Sequence, residues 1–118
     1  MCQILIAEDE ARLAAFIEKG LRREGFMTTL TQDGVQTIKI VQTEKIDLLL
    51  LDLGLPLIDG MTVLQELRDQ GMQMPIIIVT ARTDEREKLA ALKAGANKFI
   101  TKPFRFNDLL ATIQSCLK

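Results

Sequence analysis

The residues of this 118-residue chain that could do chemistry are few, and they stand where apolar runs break off. Glu8-Asp9-Glu10 cuts off "QILIA" (3–7), and Asp52 ends four leucines in "DLLLLDLGLP" (47–56). Thr80 closes "PIIIVT" (75–80), and Lys102 stands between "KFIT" (98–101) and Pro103. Carboxylates brought together resist joint ionisation, and a hard divalent cation relieves the conflict. Mg2+ takes oxygen ligands, keeps several waters and is shared with phosphate oxygens. Lysine adds a fixed positive charge, and threonine adds a hydroxyl. An aspartate among such groups can act as a nucleophile and form an aspartyl-phosphate. The cations then neutralise the equatorial oxygens while the hydroxyl donates to one of them. Together these types point to phosphoryl transfer, with Asp52 as the acceptor.

Each residue alone has a plainer reading. Asp52 alone is a solvated or capping carboxylate at a strand end, and Glu8-Asp9-Glu10 are acids favoured by a helix start. Thr80 leads into a helix, Lys102 is a surface lysine, and Phe99 is a core residue. Asp59-Gly60 is a turn with no chemical role. Only a fold that brings the candidates together raises them above these readings.

The elements that must position them follow from hydrophobic patterning. Strands are expected at 3–7, 27–31, 46–52, 75–80 and 98–101. The first, third and fourth are apolar on both faces, as central strands of a covered parallel sheet are, whereas "MTTLT" (27–31) suits an edge. Between them, apolar residues recur at helical spacing: Leu13, Phe16, Ile17 and Leu21; Val35, Ile38 and Val41; Val63, Leu64 and Leu67; Leu89 and Leu92; and Leu109, Leu110, Ile113 and Leu117. Gly25, Gly71 and Gly95 fall where helices should stop. The alternation is (βα)5, for which a doubly wound five-stranded parallel sheet of flavodoxin-like order 2-1-3-4-5 is expected. Ligands bind at the carboxyl ends of such strands, so Glu8, Asp9, Asp52, Thr80 and Lys102 should share one rim.

Composition narrows the function classes. Hydrophobic residues make up 47% and charged residues 26%, as in a folded globular protein, and one domain over 1–118 is expected. The formal net charge of −1 gives no reason to expect nucleic-acid or membrane binding by this domain. No apolar run approaches a membrane span, and the N-terminus lacks the pattern of a signal peptide, so a cytoplasmic location is expected. Histidine is absent, which excludes histidine-based catalysis and ligation. Cys2 and Cys116 read as two reduced thiols.

The sequence resembles the receiver domain of two-component response regulators, the CheY-like superfamily. The resemblance rests on "LIAEDE" (5–10), "LLLLDLGLPLIDG" (48–60), "PIIIVTAR" (75–82) and "GANKFITKPF" (95–104), in that order. It implies that Asp52 is the phosphoacceptor, that Asp9 is a direct Mg2+ ligand and that Glu8 is a ligand through water. Asp52 and the backbone carbonyl of Gly54 complete the protein's share of the metal shell, and the resemblance implies Mn2+ or Ca2+ as substitutes for Mg2+. Thr80, Lys102 and the backbone N–H of Ala81 contact the phosphoryl group. Thr80 and Phe99 form the switch pair, and Lys102-Pro103 carries a cis peptide bond. The donor is a sensor histidine kinase phosphohistidine. The response is a change in the surface made by the fourth helix, fifth strand and fifth helix. No enzymatic turnover is implied beyond self-phosphorylation from phosphodonors and self-dephosphorylation.

Other classes fit less well. Haloacid-dehalogenase-type phosphatases need a second Asp two positions after the nucleophile, where this chain has Gly54. Flavodoxin-like electron carriers need a first loop that cradles phosphate, which "EDE" repels, and there is no Trp or Tyr to stack on a flavin. A stand-alone or degenerate receiver acting by protein binding alone is the alternative.

The chain is nearest to the winged-helix OmpR/PhoB-like class, which implies control of transcription through a C-terminal DNA-binding output domain outside these residues. That class usually carries Gly-Ala-Asp-Asp-Tyr where this chain has Gly95-Ala96-Asn97-Lys98-Phe99. Thr112 and Gln114 replace arginines that usually form intersubunit ion pairs, so a monomer or weak dimer is expected. Phe99 lacks a hydroxyl to favour an outward ring, so a bias toward the inward rotamer is expected. Gly54 and Arg82 occupy positions that modulate self-dephosphorylation in the family. A glycine that orients no water and a shielding arginine imply a long-lived phospho-form.

Overall fold

The computed structural model describes residues 2–118; Met1, which the expected domain boundary includes, lies outside the described residues. The elements alternate as β1 (Gln3–Ala7), α1 (Ala11–Arg23), β2 (Met27–Thr31), α2 (Gly34–Thr43), β3 (Leu48–Leu51), α3 (Gly60–Asp69), β4 (Ile76–Thr80), α4 (Glu85–Lys93), β5 (Lys98–Thr101) and α5 (Phe106–Cys116). All strand pairings are parallel, in the order β2-β1-β3-β4-β5.

Successive side chains of a strand point to opposite faces, so the leucines of β3 are shared between two cores. Leu49 and Leu51 pack with Leu5, Ala7, Ile76 and Ile78 beneath α2, α3 and α4. Leu48 and Leu50 pack with Ile4, Ile6, Ile77 and Val79 beneath α1 and α5. All four are at most 2% exposed. Burial of each contributes about 1.5–3 kcal/mol relative to exposure, which makes β3 a rigid base for the residue that follows it.

The expected boundaries shift slightly at two strands. Ile46 and Asp47 stay outside the β3 ladder, and the Asp47 carboxylate instead accepts the Gln3 N–H at 2.7 Å. Pro75 has no N–H for a ladder, so β4 starts at Ile76 while the Pro75 carbonyl accepts the Leu49 N–H at 3.0 Å. Gly25, Gly71 and Gly95 end α1, α3 and α4 at φ of 90°, 83° and 114°. After each, an N–H reaches back into the helix, from Phe26 to Leu21, Met72 to Leu67 and Ala96 to Ala91. Asp33, Asp59 and Asp84 cap α2, α3 and α4 through their side chains. No helix among the described residues is long and apolar enough to cross a membrane.

Candidate functional site

The acidic residues are delivered by two neighbouring strand ends. Glu8 follows β1, and its N–H donates to Thr31 O at 3.0 Å. Asp52 follows β3, and its N–H donates to Ala7 O at 3.1 Å, fastening the two ends side by side. Gly60 lets the start of α3 close over them, because a Cβ there would collide with the Asp52 carbonyl. Across the sheet, the Lys102 N–H donates to Thr80 O at 2.8 Å, which holds the end of β5 against that of β4. The Lys102–Pro103 peptide bond is cis.

Glu8, Asp9 and Asp52 each place a carboxylate oxygen within 4.8 Å of the others. Glu8 and Asp52 are buried, while Asp9 is exposed and keeps the cluster open to solvent. Lys102 Nζ lies 2.6 Å from Glu8 Oε1, 3.2 Å from Asp52 Oδ2 and 3.8 Å from Glu10 Oε1. The other Asp52 oxygen accepts the Gly54 N–H at 3.1 Å, and Glu8 Oε2 accepts the Glu10 N–H, also at 3.1 Å. Burial is the largest influence on Glu8 and raises its pKa above the ordinary carboxylate value; Asp52 pushes the same way, and the hydrogen bonds from Lys102 and Glu10 oppose it. Burial alone would lower the pKa of Lys102. The Glu8 hydrogen bond and the charges of Asp52 and Glu8 outweigh it, so that the ammonium is held above its ordinary value. A buried acidic pair with one internal cation and a solvent-facing third carboxylate is an all-oxygen donor set, and it fits a Mg2+ site.

Thr80 is buried, and its Oγ1 accepts the Arg82 N–H at 3.3 Å. Ala81 is exposed between them. Phe99 lies opposite Ile78 in the ladder and is half-buried, packed at the margin of the core beneath α2, α3 and α4. Its ring is thus neither fully inside nor free in solvent.

The family model for the response regulator receiver domain matches residues 4–114. The chain belongs to that family. This receiver domain is 39% identical over 116 residues to the transcriptional activator protein IrlR of Burkholderia pseudomallei, covering 98% of this chain and 50% of that protein. It is 42% identical over 118 residues to the response regulator ArlR of Staphylococcus saprophyticus, covering 100% of this chain and 53% of that one. The chain therefore spans about half the length of the curated relatives it matches. Among solved structures it is similar to the BeF3-activated N-terminal receiver domain of Klebsiella pneumoniae RstA, with a TM-score of 0.93, 30% identity and 98% of each chain covered. It is also similar to the receiver domain of a sensor histidine kinase from Pseudomonas aeruginosa, solved with a magnesium ion coordinated in the active site cleft. There the TM-score is 0.89 at 32% identity, with 98% of this chain and 97% of that one covered.

The receiver's rim also holds contacts that the residue types alone did not reveal. Glu10 faces Lys102 from the solvent side. Asp59, read from sequence as a turn residue only, both caps α3 and pairs with Arg82 at 3.1 Å. Glu87, in the first turn of α4, takes the other side of the Arg82 guanidinium at 2.9 Å. An N-cap aspartate two residues beyond Leu57 and an arginine two beyond Thr80 were visible as types; their pairing across the rim depends on how β3 and β4 are set side by side.

Proposed function

We propose that this receiver takes a phosphoryl group onto Asp52 from the phosphohistidine of a sensor histidine kinase. The observation that carries the proposal is the convergence of Glu8, Asp9 and Asp52 with the Lys102 ammonium on one rim. An Asp52 carboxylate oxygen attacks phosphorus, the P–N bond to the histidine breaks, and the imidazole leaves with the bonding electrons. Lys102 turns from the carboxylates toward the incoming oxygens. The Thr80 hydroxyl and the Ala81 N–H donate to the same group. Glu8, Asp9, Asp52 and the Gly54 carbonyl would hold Mg2+, with Mn2+ or Ca2+ as substitutes; when bound, it offsets negative charge on the phosphoryl oxygens.

Movement of Thr80 toward the phosphoryl group opens space for Phe99, whose ring already reaches the core margin. A turn of this pair biases the surface of α4, β5 and α5 between two states. The relatives, a transcriptional activator among them, support a DNA-binding output domain outside these residues. The domain acts in the cytoplasm, as a monomer or weak dimer, because Asn97, Lys98, Thr112 and Gln114 offer a second copy no complementary ion-pair set.

Small phosphodonors should serve as well as the kinase. Incubation with acetyl phosphate and Mg2+, followed by intact mass, should add one phosphoryl group to the native chain and none to Asp52→Asn. An adduct on both, or on neither, overturns the assignment.

A further inference from the structure

β2 is a free edge of the sheet, paired only with β1. Alternate residues of a strand turn their backbone groups to opposite sides. The Met27 N–H donates to Cys2 O at 3.0 Å and Thr31 O accepts the Glu8 N–H at 3.0 Å, so Met27, Thr29 and Thr31 serve β1. Thr28 and Leu30 turn their N–H and C=O groups outward, where nothing among the described residues meets them. The hydroxyls of the strand are already engaged within the domain. Thr28 Oγ1 accepts from Arg22 Nε and donates to Glu18 Oε2, both at 3.0 Å. Thr29 Oγ1 accepts from Gln3 Nε2 at 2.7 Å, and Thr31 Oγ1 meets Thr37 Oγ1 at 2.8 Å. What β2 offers outward is therefore backbone, flanked by the exposed side chains of Met27 and Leu30.

A bare edge invites another strand, and folded proteins blunt such edges with lysine, proline or a bulge. The opposite edge is guarded, because β5 starts on Lys98 and runs into Lys102-Pro103. From Gly25 to Gln32 there is no charge and no proline, and the register with β1 runs unbroken from Met27 to Thr31.

We propose that β2 is a self-pairing edge, which a second copy of this chain joins antiparallel about a two-fold axis through Thr29. That register sets Thr28 opposite Leu30 of the second copy, and Leu30 opposite its Thr28. Both are pairs that exchange two hydrogen bonds, so every outward donor of the edge finds an acceptor. The flanking charges favour the same direction. Arg22, Arg23 and Glu24 before the strand are net positive and Asp33 after it is negative, so antiparallel pairing sets unlike charges side by side. A parallel partner would set like against like.

An interface of this symmetry closes at two copies. Stable interfaces bury at least about 1,200 Å2, more than an edge of 5 residues supplies, so the pairing is weak and depends on concentration. The strands run opposite ways, so the two acidic rims lie at opposite ends of one continuous sheet. Both rims stay open, and α4, β5 and α5 stay free on each copy.

Two measurements on the whole chain test this. In sedimentation velocity between about 20 μM and 1 mM, the native coefficient should rise with concentration, and Leu30→Lys should weaken the association about tenfold. The second measurement is cross-linking, with Cys2 and Cys116 replaced by serine and one new cysteine oxidised by copper phenanthroline. Thr29→Cys meets its own copy across the axis and should cross-link readily. Met27→Cys is the more exposed position, yet this register leaves its two copies roughly 13 Å apart along the strands, so it should cross-link poorly. Far-UV circular dichroism checks that each variant folds; cross-linking decides alone if Leu30→Lys does not. Met27→Cys linking faster than Thr29→Cys would mark random collision and overturn the proposal. So would a native coefficient that ignores concentration, or a folded Leu30→Lys that associates as the native chain does.

Discussion

Lys102 Nζ lies 2.6 Å from Glu8 Oε1, joining residues from opposite ends of the chain in a pair that is almost fully buried. The same nitrogen is 3.2 Å from Asp52, so one ammonium compensates two buried carboxylates. Lys102→Met keeps the length of the stem and deletes the charge. Leaving one side of a buried ion pair unmatched is strongly destabilising. The variant should lose about 3 kcal/mol of stability at neutral pH without divalent cation. The chain has no Trp or Tyr, so urea unfolding is best followed by far-UV circular dichroism. An unchanged midpoint would show that water, rather than Lys102, balances the carboxylates.

Mg2+ should stabilise the folded domain, because the three carboxylates come together only through the sheet. At a free concentration one hundred times the dissociation constant, the gain is about 2.7 kcal/mol. Asp9→Asn removes a solvent-facing carboxylate of the cluster without touching the buried pair, so its stability in EDTA should match that of the native chain while most of the Mg2+ gain disappears. The same midpoint rise in both proteins would place the ion elsewhere.

Where burial on both faces decides a strand, the sequence was enough: "LLLL" has no polar position that could face water, and so β3 had to be central. The strand-end residues followed from topology alone. Helical periodicity was less informative at α4, where Leu89 and Leu92 mark a stripe yet lie exposed and Ala91 is the residue that enters the core. A short helix over a sheet edge presents little contact area, and a small side chain fits the close approach. Phe16 likewise leaves the core stripe of α1 and meets Phe106 edge to face, with ring centroids 6.0 Å apart. The tie from Arg82 to Asp59 was illegible because the two lie 23 residues apart on separate segments, and long polar side chains have no period that betrays a partner.

Among the described residues, Arg68 is held by neutral acceptors only. It donates to Met72 O at 2.7 Å, to Gly95 O at 3.1 and 2.9 Å, and to Asn97 Oδ1 at 3.1 Å. Burial holds its pKa below the ordinary arginine value. The Asn97 oxygen also accepts the Ile76 N–H at 2.9 Å, so both donors would meet a full charge in Asn97→Asp. The exchange should raise stability by about 0.5–1 kcal/mol, limited by the exposure of residue 97. Arg68→Lys should abolish the gain, since an ammonium does not reproduce the fork. An unchanged midpoint in Asn97→Asp would mean that solvent screens the new pair.

Leu57 holds a conformation that its side chain disfavours. Its φ is 68°, and the Ile58 N–H donates to Pro56 O at 2.8 Å, which closes a three-residue turn of the strained kind. The leucine is 79% exposed and gains little from burial in return. Asparagine tolerates positive φ far better than leucine, without the unfolded-state freedom that glycine would add. Leu57→Asn should therefore raise stability by about 0.5–1 kcal/mol, or roughly 2–6 °C in thermal midpoint. Leu57→Ala separates strain from exposure, because alanine keeps the Cβ and with it the penalty, while removing the apolar surface. If the gain reflects backbone strain, asparagine stabilises and alanine does not; equal midpoints for the two variants would assign the effect to the exposed side chain instead.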